Sequence, residues 1–369
     1  MAGWLLPGEQ SRGGLCVGEW HTAGGSAGES QTGLGATAVA LKTGKLDPAT
    51  LRRLVLEQLG VRRDDVVVHA RLGEDAAAVA FGDEVCVLSS DPITGAGSAA
   101  GWYAVHVSCN DIAAMGARPV GVLATLIFPP TAEEADVAQV MADIHRAALE
   151  LGIEVLGGHT EVAPGVVAPI ISMTAVGRAP REQLVTSGGA QPGDTIILTK
   201  WAALEGTAIL ATDLVSHLEG RMTPEAIARA QGLSARISVV RDGVEAAKLG
   251  ATALHDPTEG GVLGALWEMA ESAGYGFEVD ASAVPILEET RQVCDIFGAD
   301  PLKLISSGAM LIACPDLSRM LAGLAEHRIP ATPIGRVTAQ ERVVMVGGRR
   351  VPAVSVHRDE LWRILEERS

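Results

Sequence analysis

The sequence predicts an α+β protein of two domains, and three observations support this fold class. The chain has 369 residues, 47% of them hydrophobic, so it is long enough for two buried cores. Apolar runs of strand length alternate with amphipathic segments, but without the regular βαβ spacing of a doubly wound sheet. Residues 178–193 are rich in Arg, Gly, Ser and Pro, which is typical of a domain boundary. We therefore expect an N-terminal domain over 41–180, a C-terminal domain over 190–350 and a tail helix over 351–369.

In the first half, the spacing of apolar residues predicts three helices. They cover 48–59, 98–115 and a segment that begins at Thr131 and stops at Gly152. Glu134, three residues after Thr131, completes the pattern of a capping box. The predicted strands are 65–70, 76–81, 84–90, 120–128, 153–156 and 166–176.

The second half restarts after a turn at 191–194 and continues the mixture of strands and helices. The predicted strands are 195–199, 251–254, 276–280 and 310–313, followed by closing strands. The predicted helices are 204–214, 224–248, 262–273, 286–297 and 316–327.

Composition excludes several classes of protein. A formal net charge of −16 and only 3% aromatic residues argue against a nucleic-acid partner. No apolar run is long enough to span a bilayer, so we expect a soluble protein without a membrane partner. The five cysteines form no CxxC pair, which favours a reduced, cytoplasmic protein. Residues 1–40 are rich in glycine and lack apolar periodicity, so we expect a flexible segment there.

Four acidic clusters within ninety residues carry the functional signal, and none contains a lysine or arginine. Each alone is more simply a turn or a helix cap, but together they point to oxygen ligands for hard divalent cations that in turn hold a polyphosphate. We expect Asp75, Asp91 and Asp111 to bind Mg²⁺. The clusters are Gly73-Glu74-Asp75, Ser90-Asp91-Pro92, Asn110-Asp111 and Gly157-Gly158-His159-Thr160-Glu161.

Several neighbouring residues have two open interpretations. Glu161 could supply a fourth oxygen ligand, while His159 could donate to a phosphate, act as a base or stabilise a turn at Gly157 and Gly158. Lys42 and Lys45 could reach phosphates or be exposed lysines on a leader segment. The chain has neither a GxxxxGK[ST] loop nor a GxGxxG after a strand, so a P-loop or a Rossmann nucleotide site is not indicated.

A second motif, His255-Asp256-Pro257-Thr258, precedes a glycine pair in the second half. Thr258 is placed to cap the following helix, and Gly260 and Gly261 would leave backbone N–H groups open to an anion. The plainer alternative is an ordinary capped helix with a buried histidine. Two glycines disfavour a first helical turn, which favours a ligand site.

In this order, the motifs resemble the superfamily of aminoimidazole ribonucleotide synthase. It includes the hydrogenase maturation factor that acts as a carbamoyl dehydratase, thiamine-monophosphate kinase and selenophosphate synthetase. The resemblance covers about residues 41–350, and its most specific segment is Asn110-Asp111-Ile112-Ala113-Ala114-Met115-Gly116-Ala117. It implies an N-terminal domain whose sheets close into a dimer barrel, a C-terminal α/β sandwich, and a bound ATP with Mg²⁺.

The resemblance also implies roles for individual residues. The expected catalytic residues are His159, Glu161, His255 and Asp256. The expected nucleotide contacts are Lys42, Lys45, Asn110, Gly157, Gly158, Thr160, Thr258, Gly260 and Gly261.

The implied function is activation of a carbonyl or amide oxygen by ATP-dependent phosphorylation, with a small-molecule or protein-borne substrate and a homodimeric enzyme. The second motif is most similar to the maturation factor, which usually has a basic residue in place of Glu259 and ends in a cysteine that carries the carbamoyl group. Here no cysteine follows Cys314. The alternatives are a small-molecule kinase like thiamine-monophosphate kinase and a non-catalytic nucleotide-binding partner protein.

Overall fold

Two mixed β-sheets with flanking helices organise the chain in a computed structural model, which describes residues 43–93, 99–356 and 358–368. Residues 42–369 cluster as one compact unit. The α+β class is therefore confirmed. None of the helices within the described ranges is long and apolar enough to cross a membrane.

The first sheet has six strands and lies against helices of the N-terminal half. Its strands are β1 (Val66–Val68), β2 (Ala77–Phe81), β3 (Glu84–Ile93), β4 (Arg118–Phe128), β5 (Glu154–Val162) and β6 (Ile170–Pro180), in the spatial order β1-β2-β3-β6-β4-β5. The helices are α1 (Pro48–Leu51), which runs into a π-helical turn at Arg52–Leu56, α2 (Ala100–Ala114) and α3 (Glu134–Leu151).

The second sheet has seven strands. They are β7 (Thr195–Thr199), β8 (Ala253–His255), β9 (Gly276–Asp280), β10 (Leu311–Cys314), β11 (Ala331–Thr338), β12 (Arg342–Val346) and β13 (Arg349–Pro352), in the order β13-β12-β9-β11-β7-β10-β8. The helices are α4 (Leu204–Asp213), α5 (Pro224–Gln231), α6 (Val240–Lys248), α7 (Gly261–Ala273), α8 (Glu288–Phe297), α9 (Leu317–Glu326) and α10 (Glu360–Arg368).

Helix α2 is the central element of the fold, because its residues from Gly101 to Ala114 are all buried. On one side it packs against β3 and β6, and on the others against α3 and α6. The approach to β6 is close: a Cβ added to Gly177 would lie 2.1 Å from Ile112 Cγ2, so only glycine fits there. A helix that is buried on every face is stable only inside such a core.

Many predicted elements are confirmed, and the strands at 195–199 and 276–280 have the predicted bounds. Three predictions about the helices within 41–350 are wrong, and the tail helix predicted over 351–369 starts only at Glu360, after β13. Glu133, with Asp136, forms the capping box of α3, whereas Thr131 lies in the preceding turn. The helix predicted over 48–59 is α-helical for one turn only.

The third error concerns 224–248, which is not one helix. A 3₁₀ segment (Gly232–Arg236) and an irregular stretch separate α5 from α6. The backbone of this stretch hydrogen-bonds Asn110 on α2, with Asn110 Nδ2 donating to Ile237 O at 2.8 Å and Val239 N donating to Asn110 Oδ1 at 2.8 Å. A tertiary contact therefore overrides the helical pattern.

Candidate functional site

Carboxylates from both halves of the chain meet where β3, α2 and the end of β8 come together. Asp91 lies in β3, Asp111 in the last turn of α2, and Asp256 directly after β8. Ser89 Oγ lies 2.5 Å from Asp111 Oδ2 and 3.2 Å from Asp91 Oδ2, so one hydroxyl links these two carboxyl groups. Asp111 is disfavoured by the α2 dipole at this position, and its carboxyl needs positive charge nearby.

Burial and neighbouring carboxyl groups raise the pKa of Asp111 and of Asp256. The pKa of Asp111 lies well above its usual value, first because of burial and then because of Asp91, Asp256 and Asp75. Burial also raises the pKa of Asp256 to about 8, and Asp75 adds to the shift, while His255 opposes it. Without a cation, Asp111 and Asp256 therefore keep their protons at pH values where a solvated aspartate would be ionised.

Among the residues of the cluster, Asp256 most clearly indicates a binding site for a ligand. The residue is 1% exposed, and neither of its carboxyl oxygens has a hydrogen-bond partner within the described ranges. Leaving a buried carboxyl unsatisfied is unfavourable by roughly 1–3 kcal/mol or more. An all-oxygen donor set of this kind fits Mg²⁺. Among the described residues, however, no three His, Cys, Asp or Glu side chains already stand as a complete metal cluster.

Beside the carboxylates, His255 forms an ion-pair chain between the two halves. Its Nδ1 lies 2.7 Å from Asp75 Oδ1 and its Nε2 lies 3.1 Å from Glu268 Oε2 on α7. Burial alone would lower the pKa of His255, but Asp75 and Glu268 raise it well above its usual value. With a carboxylate at each ring nitrogen, the imidazole is held as a cation.

Glu268 was not anticipated from the sequence. Burial would raise its pKa, but Lys45 and then His255 lower it to about 2, so it stays ionised. Its only sequence signal is a carboxylate placed between two apolar residues of a helix, which is common on partly exposed helices. Ser89 was also not anticipated, because its role depends on a tertiary contact with Asp111 on α2.

Lys45 lies at the mouth of the cluster. Its Nζ donates to Thr258 Oγ1 at 3.3 Å and lies 3.8 Å from Glu268 Oε1, and its backbone N donates to Glu259 Oε2 at 3.2 Å. Glu268 has the largest effect on the pKa of Lys45, which is raised. The side chain is still 55% exposed, so it faces both the cluster and solvent. Lys42 lies outside the described residues.

The glycine pair does not present the open N–H groups predicted from the sequence. Gly260 N donates to Asp359 Oδ2 at 2.6 Å, and Gly261 N donates to Thr258 O at 3.0 Å. Gly260 is the N-cap of α7 with φ +86°, and no side chain caps the helix, so the predicted cap by Thr258 is wrong. A carboxylate of the chain itself occupies the place expected for an anion.

The segment Gly157–Glu161 is part of an edge strand, so the predicted turn is wrong. It pairs in parallel with β4 over the run from Leu123 to Ile127. A Cβ on Gly158 would lie 1.8 Å from Ala124 O, which explains the glycine. His159 Nε2 and Glu161 Oε2 lie 3.1 Å apart, and both side chains are exposed.

Within one chain, this strand is remote from the carboxylates. Asp91 pairs with Met173, Met173 with Ala124, and Ala124 with Gly158. Three inter-strand steps separate Asp91 from Gly158, or about 14 Å at the usual strand spacing. The structure therefore brings together Lys45, Asp75, Asp91, Asp111, His255, Asp256 and Thr258, but not His159, Thr160 or Glu161.

Two family models match the chain. The AIR synthase related protein, N-terminal domain, matches residues 73–179, and the AIR synthase related protein, C-terminal domain, matches residues 191–348. The chain belongs to the AIR synthase related protein family. The acidic cluster thus includes side chains from both domains of this family.

Relatives in the family carry different activities. A putative hydrogenase expression/formation protein of Methanocaldococcus jannaschii is 29% identical over 320 residues, covering 84% of this chain and 93% of that protein. The carbamoyl dehydratase HypE of Cupriavidus necator is 29% identical over 292 residues, covering 76% and 79%. A thiamine-monophosphate kinase of Pyrococcus horikoshii is 29% identical over 250 residues, covering 65% and 74%.

A solved structure shares the fold. The hydrogenase maturation protein HypE in complex with ATP matches with a TM-score of 0.65 at 24% identity, covering 87% of this chain and 97% of that chain. The two-domain architecture is therefore that of the family.

Proposed function

We propose that this chain binds ATP with Mg²⁺ at the carboxylate cluster and phosphorylates a carbonyl or amide oxygen, as in a dehydratase or ligase. The observation that carries the proposal is Asp256, a buried carboxyl group that lies near Asp75, Asp91 and Asp111 and has no hydrogen-bond partner among the described residues. Family membership and the relatives named for carbamoyl dehydratase activity support the reaction class.

Asp91, Asp111, Asp256 and Asp75 would hold the cation. When bound, Mg²⁺ supplies charge neutralisation of the phosphates and polarisation of the transferred phosphoryl group. Because the described carboxylates do not complete a metal cluster by themselves, phosphate oxygens and water would supply the remaining ligands. Ser89 would keep Asp91 and Asp111 oriented toward the same ion.

Lys45 and Thr258 would contact the nucleotide phosphates at the exposed side of the cluster. The acceptor oxygen would attack the γ-phosphorus and ADP would leave, with the acceptor's proton passing to solvent or a nearby base. His255 is held as a cation between Asp75 and Glu268, so its role would be to fix these two carboxylates and not to accept that proton.

The proposal includes a homodimer. The face of the first sheet that points away from α2 exposes large apolar side chains at Val120, Leu123 and Leu156. The edge strand β5 has no partner on its outer side in the sheet order. A second copy covering this face would shield the edge. It would also bring His159 and Glu161 of one subunit to the carboxylate cluster of the other subunit. Within one chain, these two residues lie far from the cluster.

Calorimetry of ATP binding with and without Mg²⁺ tests the nucleotide site. The wild-type chain should bind ATP only with Mg²⁺, and Asp256→Asn and Asp91→Asn should each weaken binding by at least tenfold, about 1.4 kcal/mol. Glu278→Gln, which alters a carboxylate on β9 that pairs with Arg336, is the matched control. Metal-independent binding, or no binding, would refute the proposal.

A second experiment tests catalysis. Release of ADP should be measured with amides, carbamoyl donors and phosphate monoesters as acceptors. Turnover with an amide or carbamoyl donor supports the proposed reaction, and turnover with a phosphate monoester alone supports a small-molecule kinase. Mg²⁺-dependent ATP binding without turnover in any arm would favour a non-catalytic binding protein.

A further inference from the structure

We propose that Glu259 is a positioning residue, which links helix α10 to the N-terminal segment Gly44–Lys45 and thereby fixes Lys45 at the phosphate side of the site. This inference rests on the proposed function. A carboxylate at position 259 suits the contacts that the structure gives it.

Helix α10 provides the fixed end of this link. Leu361 and Ile364 are buried against the core that includes Phe297 of α8. Arg363 donates to Gly298 O at 3.0 Å, and the Asp359 carboxylate accepts from Leu361 N at 2.7 Å and from Gly260 N at 2.6 Å. The helix is therefore anchored independently of Glu259.

Glu259 uses its two carboxylate oxygens for two different segments. Trp362 Nε1 donates to Oε1 at 3.0 Å, and Lys45 N donates to Oε2 at 3.2 Å. The indole of Trp362 also packs beside Gly44, where an added Cβ would lie 3.4 Å from its Cδ1. A carboxylate can accept at both oxygens at once, whereas a lysine or arginine in its place would offer only donors.

The consequence is a defined place for the Lys45 side chain. Within the described residues, α1 and the turn after it contribute no buried residue to hold the N-terminal segment. The hydrogen bond from Lys45 N to Glu259 therefore sets where Lys45 Nζ lies relative to Thr258 and Glu268. A shift of about 1 Å in such a group can reduce turnover up to a hundredfold.

Hydrogen–deuterium exchange of the ligand-free protein tests the link without any nucleotide. Glu259→Ala removes both hydrogen bonds, and Trp362→Phe removes one while keeping an aromatic ring beside Gly44. Both variants should exchange faster than wild type in peptides over 43–50, with unchanged exchange in β3 and β6. Glu278→Ala is the control, since it removes a carboxylate elsewhere in the C-terminal half. Unchanged exchange over 43–50 in Glu259→Ala overturns the link.

A double-mutant cycle in Mg²⁺–ATP affinity tests the positioning role. Glu259→Ala should weaken binding about tenfold in the wild-type background and less than twofold in a Lys45→Ala background, because Glu259 acts through Lys45. Equal weakening in both backgrounds overturns the proposal. If the wild-type chain itself does not bind Mg²⁺–ATP, the proposed function fails, and the exchange experiment shows separately whether the link exists.

Discussion

At the scale of single residues, the acidic site is assembled from side chains that lie far apart in the chain. Asp75, Asp91 and Asp111 belong to sequence clusters that contain no lysine or arginine, and the structure gathers them with Asp256. Glu268 reaches the same place from the middle of α7, and no spacing rule connects it to Asp75. Contacts between residues nearly two hundred positions apart depend on the fold as a whole.

Asp359 provides a pH-dependent test at this scale. Burial raises its pKa to about 6, against hydrogen bonds from Leu361 and Gly260 that lower it. A carboxyl group whose pKa is higher in the folded than in the unfolded protein stabilises the folded state. For Asp359 this stabilisation is complete below the unfolded pKa of about 3.9 and is lost as the pH rises through about 6. The stability of wild type relative to Asp359→Asn should therefore fall by about 2 kcal/mol between pH 4 and pH 7.

Urea denaturation at several pH values measures this difference. The change with pH is the informative quantity, because asparagine also loses one of the accepted hydrogen bonds at every pH. Parallel stability curves for the two proteins would contradict the prediction.

At the scale of elements, strands with clear turns at both ends were predicted well, and glycine-rich segments were not. The strand at 195–199 follows a Pro-Gly turn, and its apolar run fixes its length. The Gly157-Gly158 pair has the composition of a turn, yet Gly158 is required because β4 passes too close for a side chain. Sequence alone does not distinguish a glycine needed for a turn from one needed for close packing.

The exposed face of the first sheet leads to a prediction about assembly. Leu123→Asp places a charge on the face proposed to pair with a second copy, so the mass in solution should fall from that of a dimer to that of a monomer. Light scattering after size exclusion measures it. Val351→Asp is the control, because Val351 is also exposed but lies on β13 of the second sheet. A wild-type chain that is already monomeric would disprove the proposed dimer.

At the scale of the whole molecule, the proposed dimer has a distinctive consequence for mixed subunits. Asp111→Asn and Glu161→Ala alter the two parts of a site that two chains would share. When the two inactive variants are mixed equally and allowed to exchange subunits, about a quarter of the sites should regain Mg²⁺–ATP binding. Calorimetric stoichiometry measures this fraction, with each variant alone as the control. No recovery after proven exchange would place each site within one chain.

The way the two halves pack together could not be predicted from the sequence. The predicted boundary at 178–193 depends on composition alone, whereas the contact between the halves is made by α2, whose sequence does not say which elements it packs against. Asn110 belongs to the most specific motif of the chain, yet its amide is engaged on both sides by the backbone at Ile237 and Val239. The family resemblance implied a nucleotide contact for Asn110, whereas its amide joins the two halves in the structure.

The hydrogen bonds of Asn110 with Ile237 and Val239 join the two family domains, so we expect the domains to unfold as one unit. Melting the C-terminal half would expose to water the side of α2 that packs on α6 and break both hydrogen bonds of the Asn110 amide. We therefore expect one heat-capacity peak in calorimetry, with equal van't Hoff and calorimetric enthalpies, from a chain that has two sheets and matches two domain models. The same rigidity would keep Asp111 at a fixed distance from Asp256 when the site is empty.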